Sequence, residues 1–342
     1  MTTTTLTAAD DLLVGAAPDG SGERFFDRFY FNLHAPDEPT PLIMLGAGSY
    51  PNRGVVDGYL IRVDGGWQRN VRFSDERDEL PATGVGPLAW EIVEPLRAWR
   101  LVVGENPAGF ELDVVWRART NPWETERILL QDGRGGVSDF GHFFQSGSYE
   151  GTLRLDGETL DVGGWLGQRD RSRGVRLVSE RGGVHLWIQG QFADCSIAVL
   201  FNLDRDNAVT HCDGAVLGTD GSDDPIVAGL HALELDAGLD CQRAAFAFTT
   251  ASGRTLRLDV DGSEGGGFLS GGGYGGWHGK RRGRDVVEHE TWPVDDTVTP
   301  RMLDTPMVDR PARFVLDGAV EGTGVFEFAV TRSASYAYRA SL

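Results

Sequence analysis

YEGTLRLDGETLDVGGW, residues 149–165, is the stretch that decides the fold: a strand, an Asp156-Gly157 turn and a second strand. The same grammar extends in both directions. VVDGYLIRVDGG at 55–66 ends a strand in a turn, QRNVRFSD at 68–75 supplies its partner, and GFELDVVWRART at 109–120 alternates Leu112, Val114 and Trp116 against its other face. In WEIVEPLRAWRLVVG, 90–104, Pro95 argues against a helix and for an edge strand, a bulge or two consecutive strands. Downstream, VHLWIQGQF (184–192), SIAVLFNLDR (196–205), AVTHCDGAVLG (208–218), IVAGLHALELD (226–236), RDVVEHETWPV and ARFVLDGAVEGTGVFEFAV continue the period of two. The 47 glycines in 342 residues, about twice the usual share of ~7%, fit the many turns this requires. One helix near the start is the only helical candidate, so recurrent crossover helices and a doubly wound fold are excluded. The expectation is an all-β chain of antiparallel barrels or sandwiches.

NPWETERILLQDGRGGVSDFGHFF, 121–144, breaks the regularity and reads as a junction around 125–145 between two β domains, 15–130 and 140–340. A single large curved β structure is the alternative.

The formal net charge of −19, with no basic stripe or paired-cysteine finger, speaks against nucleic acid as a partner. Cys195, Cys212 and Cys241 form no CxxC pair and read as thiols of a reducing compartment. MTTTTLTAADDLLVG lacks the pattern of a signal peptide and no 18-residue apolar run exists, so a cytoplasmic protein without a transmembrane segment is expected. A homo-oligomer stays open. No cofactor is expected: GSEGGGFLSGGGYGG at 262–276 is no phosphate loop, since Gly279-Lys280 is followed by Arg281. Nor is a metal, because the seven histidines are dispersed, and in Glu288-His289-Glu290 the two carboxylates share one strand face with the imidazole opposite.

GGWLGQRDRSRGVR, 163–176, is the central site candidate. Asp170 is the candidate proton donor or acceptor, since a carboxyl in an apolar pocket can have its pKa raised into a useful range. Arg169 would orient it or bind a ligand oxygen, and Trp165 opens the segment as a ligand contact. An Arg–Asp cluster bracing a turn is the structural alternative. In GHFFQSG, His142 is a candidate for proton exchange and Gln145 for ligand binding, against a loop-stabilising hydrogen bond. In VHLWIQGQF, His185, Trp187, Gln189 and Gln191 share one face, which either lines a polar and aromatic cavity or meets solvent, while Val184, Leu186, Ile188 and Phe192 face a core. Tyr274, Trp277 and His278 lie in a glycine-rich loop that is either a lid or an exposed connection.

These segments, together with RFFDRFYFNLHAPDEP at 24–39, PNRGVVDGYLIRVDGG at 51–66 and EPLRAWRLVV at 94–103, resemble the AttH-like proteins and the carotenoid hydratases of the hydroxyneurosporene-synthase type. Arg169, Asp170, Ser172 and Gly174 match an Arg-Asp-His-Ser-Trp-Gly core of that family; Arg171 and Arg173 replace its histidine and tryptophan. The resemblance implies two lipocalin-like β domains enclosing a hydrophobic ligand. It also implies cofactor-independent hydration or dehydration, cyclisation or isomerisation of an isoprenoid-like or polyketide-like molecule, with a cavity at Asp170. A noncatalytic carrier of such a metabolite is the main alternative, and a hydrolase built from distant residues the third.

Overall fold

The computed structural model describes residues 6–38, 41–80, 82–131, 137–176, 182–294 and 306–342. Its first unit is built from β1 (Phe25–Leu33), β2 (Leu42–Tyr50), β3 (Val55–Asp64), β4 (Trp67–Glu76), β5 (Gly84–Val85), β6 (Leu88–Glu94), β7 (Ala98–Val103), β8 (Phe110–Ala118), β9 (Trp123–Glu124), β10 (Ile128–Gln131), β11 (Val137–Leu155), β12 (Glu158–Asp161) and β13 (Leu166–Val175). The second uses β14 (Val184–Gln191), β15 (Cys195–Leu203), β16 (Val209–Gly218), β17 (Asp223–Leu235), β18 (Cys241–Thr250), β19 (Thr255–Asp261), β20 (Gly267–Phe268), β22 (Val308–Leu316) and β23 (Val320–Val330), while β21 (Val286–Pro293) pairs back onto β4. The protein is all-β, with two lipocalin-like units.

Strand alternation explains both. In the second unit the strands run β19-β18-β17-β16-β15-β14-β23-β22 and β22 closes on β19, an eight-stranded barrel. Its interior takes every second side chain, among them Leu186, Ile188, Val199, Phe201, Phe246, Phe248, Phe326 and Phe328. The first unit is an open sheet, β21-β4-β3-β2-β1-β13-β11-β8-β7-β6-β5, curled into a half-barrel around Phe29, Phe31, Leu60, Trp99, Trp116 and Tyr149. Pro95 separates two consecutive strands, β6 and β7, in a turn where Leu96 takes φ 58°. The expected helix near the start is one turn of 3-10 helix, Ala8–Asp11.

The sheets do not divide where the sequence breaks near 125–145, a stretch whose residues 132–136 lie outside the described ones. Strand β11 pairs with β8 and β13, and β13 pairs with β1, so residues 137–175 complete the first unit and the change of sheet comes before Val184. Gly174 makes the β13 crossing fit: it sits at φ 150°, and a Cβ there would lie 2.3 Å from the Asp139 carbonyl oxygen. The units meet through their outer faces, where Tyr30, Phe144, Met44, Tyr59 and Ile61 pack against Trp187, Ala198, Leu200, Ala215 and Leu217. No helix among the described residues is long and apolar enough to cross a membrane.

Candidate active site between the two units

Successive residues of a strand face opposite sides, and this parity splits the 169–174 motif in two. Arg169, Arg171 and Arg173 point into the mouth of the half-barrel; Asp170, Ser172 and Gly174 point at the second unit.

The inward row is a set of anchors for the N-terminal segment. Arg169 is 1% exposed, binds Asp11 Oδ1 at 2.6 Å and Gln145 Oε1 at 3.0 and 3.1 Å, and lies over the Trp116 ring at 5.0 Å. Asp11 also accepts from Leu96 N at 2.6 Å and Trp99 Nε1 at 2.9 Å. Arg171 grips both oxygens of buried Asp27 at 2.7 and 2.8 Å and the carbonyls of Asp11 and Leu12 at 2.6 Å each. Arg173 reaches Asp27 at 3.2 Å and Asp10 at 3.5 Å. Arg171 and Arg173 thus tie residues 10–14 down. Gln145 spends its amide on the Leu96 and Thr120 carbonyls, and Trp165 packs on the half-barrel core, so neither joins Asp170.

The outward residues form rows across five strands. Tyr59, Gly46, Tyr30, Asp170 and Phe144 stand side by side on β3, β2, β1, β13 and β11; Asp57, Gly48, Arg28, Ser172 and His142 make the next row. Asp170 Oδ2 lies 3.2 Å from His142 Nε2, and 28% of its side chain is accessible. It is neither flat on the surface nor sealed off.

From the barrel, His185, Trp187 and Gln189 on β14 face this surface, with Asp309 on β22 directly opposite Glu327 on β23. Trp187 meets the rings of Tyr30 at 5.9 Å and Phe144 at 6.3 Å. Gln189 is fully buried, and its amide has no protein partner among the described residues.

A hydrogen-bonded line crosses the interface. The Tyr30 hydroxyl donates to Asp309 Oδ2, Asp309 stands opposite Glu327 on the neighbouring strand, Glu327 Oε1 lies 3.0 Å from His185 Nε2, and His185 Nδ1 lies 2.8 Å from Asn202 Oδ1. Burial and then the charge of Glu327 push Asp309 well above the usual carboxylate range; burial pushes Glu327 up to about 7. Two buried carboxyls that face each other repel when both are charged, so ionising one hinders the other and their titrations are coupled. Burial holds His185 below its usual value. With Nδ1 donating to Asn202, neutral His185 presents Nε2 as an acceptor, which again places a proton on Glu327. Sequence reasoning passed over both acids, although Glu327 in VFEFAV is a charge between two core phenylalanines in the buried, otherwise apolar half of its strand.

The glycine-rich segment is docked, not an exposed connection. A Cβ at Gly271 would lie 1.9 Å from Asn70 Oδ1 and one at Gly272 2.5 Å from the Tyr59 ring, so only glycine lets this backbone lie on β3 and β4. It brings Tyr274 to 5.9 Å from Tyr59, and His278 to 3.3 Å from Asp57 Oδ1. Trp277 turns instead to Glu288, 3.0 Å away. Glu288 and Glu290 share a face of β21, as the alternation predicts, and both meet Arg72. An open depression of about 430 Å³ beside this segment is lined by Glu23, Arg53, Gly279, Lys280 and Arg281. Its walls carry charges and no apolar side chain, whereas Tyr30, Phe144 and Trp187 beside Asp170 are buried against one another.

In fold the chain is similar to an AttH-type protein from Nitrosomonas europaea, with TM-score 0.59 and 11% identity over 93% of this chain and 99% of that one. Kievitone hydratase from Nectria haematococca gives 0.52 and 12% over 96% of each chain, and CghA 0.50 and 11% over 94% and 95%. At these identities the likeness is one of fold. No curated protein matches the chain by sequence. Residues 13–338 match the model of a family described as "Family of unknown function (DUF8625)", and the chain belongs to that family.

Proposed function

We propose that the contact surface between the two units, around Asp170, is the active site of a cofactor-independent enzyme that moves protons on a small hydrophobic metabolite, isoprenoid-like or polyketide-like. The reaction is hydration or dehydration, cyclisation or isomerisation. One arrangement carries this reading: the Asp309 and Glu327 carboxyls, both raised by burial, and a separate Asp170–His142 pair stand on facing sheets beside Tyr30, Phe144 and Trp187. Acid and base catalysis need such groups in different protonation states at one pH.

For a hydration, Glu327 or Asp309 gives its proton to one alkene carbon, while Asp170, backed by His142, takes a proton from the water whose oxygen bonds the other carbon. The proton lost by the barrel acid returns through solvent from Asp170. Neutral Tyr30, its pKa raised by burial and then by Asp309, keeps its proton and positions the acid. The rings of Phe144 and Trp187 hold the apolar body and exclude water that would quench a cationic intermediate. Gln189, His185 and Tyr274 supply polar contacts at the edges. The fold shared with kievitone hydratase supports hydration within this range of reactions.

Incubation with a hydrophobic metabolite extract in water labelled with oxygen-18, without added cofactor, tests the proposal by mass spectrometry. Hydration is expected to yield a product carrying the label, and cyclisation or isomerisation a product of unchanged mass. Retention of a metabolite with no new product would instead identify a carrier.

A further inference from the structure

Arginines in this protein ordinarily meet carboxylates: Arg62 holds Asp64 and Asp156, Arg169 holds Asp11, and Arg171 holds Asp27. Two at the candidate site do not. Among the described residues, Arg28 and Arg176 have no ion pair and no hydrogen-bond acceptor, and each lies on aromatic rings. The Arg28 guanidinium is 4.8 Å from the centre of the Tyr274 ring; that of Arg176 is 4.3 Å from Phe140 and 5.3 Å from Phe26.

Their placement is built in. Arg28 stands in the row with Ser172 and His142, and its stem fills the space left by Gly48, where a Cβ would lie 2.5 Å from Arg28 Cγ. Arg176 directly follows β13 and is exposed, its guanidinium lying over the Phe140 and Phe26 rings. Each of these charges acts on the other, and Asp170 and Tyr274 act on Arg176. Burial lowers the pKa of Arg28, but the ionisable groups around it, Asp57 among them, raise it above the usual value. Desolvation keeps Tyr50, Tyr59 and Tyr274 neutral, so all three remain donors. The hydroxyls of Tyr50 and Tyr59 are buried, that of Tyr50 near the Asp57 carboxylate and that of Tyr59 near Tyr274. Asp57, the acid beside Arg28, is already engaged by Gly279 N at 2.6 Å and by His278.

Two cations that meet no carboxylate and two buried phenol groups thus stand on one face of the half-barrel, beside Asp170. We propose that Arg28 and Arg176, with the hydroxyls of Tyr50 and Tyr59, bind an anionic oxygen of the ligand, so that the metabolite is a hydrophobic acid: an apolar body carrying a carboxylate or enolate. The inference rests on the reading of the contact surface between the units as the ligand site. It places the acidic end of the molecule near Arg28 and its reacting carbons along Tyr30, Asp170 and Trp187, one row away.

Two fluorescent probes with the same body separate the ideas. 8-Anilinonaphthalene-1-sulfonate is anionic, and N-phenyl-1-naphthylamine is its neutral counterpart. The wild-type protein is expected to bind both saturably and to prefer the sulfonate by at least about tenfold; Arg28→Gln and Arg176→Gln should each weaken the sulfonate by about tenfold and leave the neutral probe within about twofold. Retained binding of the neutral probe reports an intact fold, and Arg28→Lys should recover part of the loss. Equal affinity for the two probes, or sulfonate binding indifferent to both substitutions, overturns the anion subsite and leaves the hydrophobic site standing. Failure of both probes to bind the wild type overturns the ligand-site reading and the subsite with it.

Discussion

Arg169→Met is expected to lower the stability of the protein by about 3–5 kcal/mol, as removal of one partner of a buried ion pair does. Asp11 has no exposed surface, and Arg169 is the only cation its carboxylate meets among the described residues. Truncation strands that charge beside the Trp99 and Trp116 rings and removes the donor that orients Gln145. Equilibrium unfolding in urea measures the loss. Adding Asp11→Leu should recover a part of it, because the second change removes the uncompensated charge. A loss below about 1 kcal/mol would show that the anchor is not structural. The variant also separates the two faces of the motif, since a residue acting on Asp170 would alter turnover and spare stability.

Asp170→Asn is the complementary change. Its side chain is partly accessible and its one ionic contact is with His142, so the fold is expected to persist. Conversion of the metabolite should fall by about 10²–10⁴-fold, the usual worth of a positioned acid or base. Product formation by variant and wild type is compared at matched protein concentration, with urea midpoints as the control. Equal conversion would remove Asp170 from the chemistry.

Alternation made much of the architecture legible. The hairpins at 55–75 and 149–161, the break at Pro95, and the division of 184–192 into a core face and an outer face all follow from period two and turn chemistry. The same parity shows why Arg169 cannot serve Asp170: neighbours on a strand point to opposite sides, so an Arg-Asp dipeptide in β13 is a division of labour and not a pair. The placement of β13 was not legible, because β13 pairs with β1 across some 140 residues of chain, Tyr30 opposite Asp170 and Phe31 opposite Arg169. Such pairing depends on long-range register, which local pattern does not encode. The same gap hid the site's acids. Asp309 and Glu327 lie far from the motif in sequence and reach Tyr30 only because the barrel's outer face packs on the half-barrel.

The central claim is that two buried carboxyls of raised pKa face Asp170. Burial raises Glu327 from its ordinary 4.5 to about 7, so the fold favours the protonated form. By linkage, its contribution to stability is fully present below about pH 4.5 and is lost as the pH rises through about 7. Glu327→Gln should therefore gain stability relative to wild type above that pH. Carbon-13 NMR titration of protein labelled at the glutamate side-chain carboxyls reads the group itself. One glutamate is expected to titrate near pH 7 and to be missing from Glu327→Gln. If every glutamate, and every aspartate in a second sample labelled at its side-chain carboxyls, titrates in the ordinary range around pH 4, the acid between the two units does not exist.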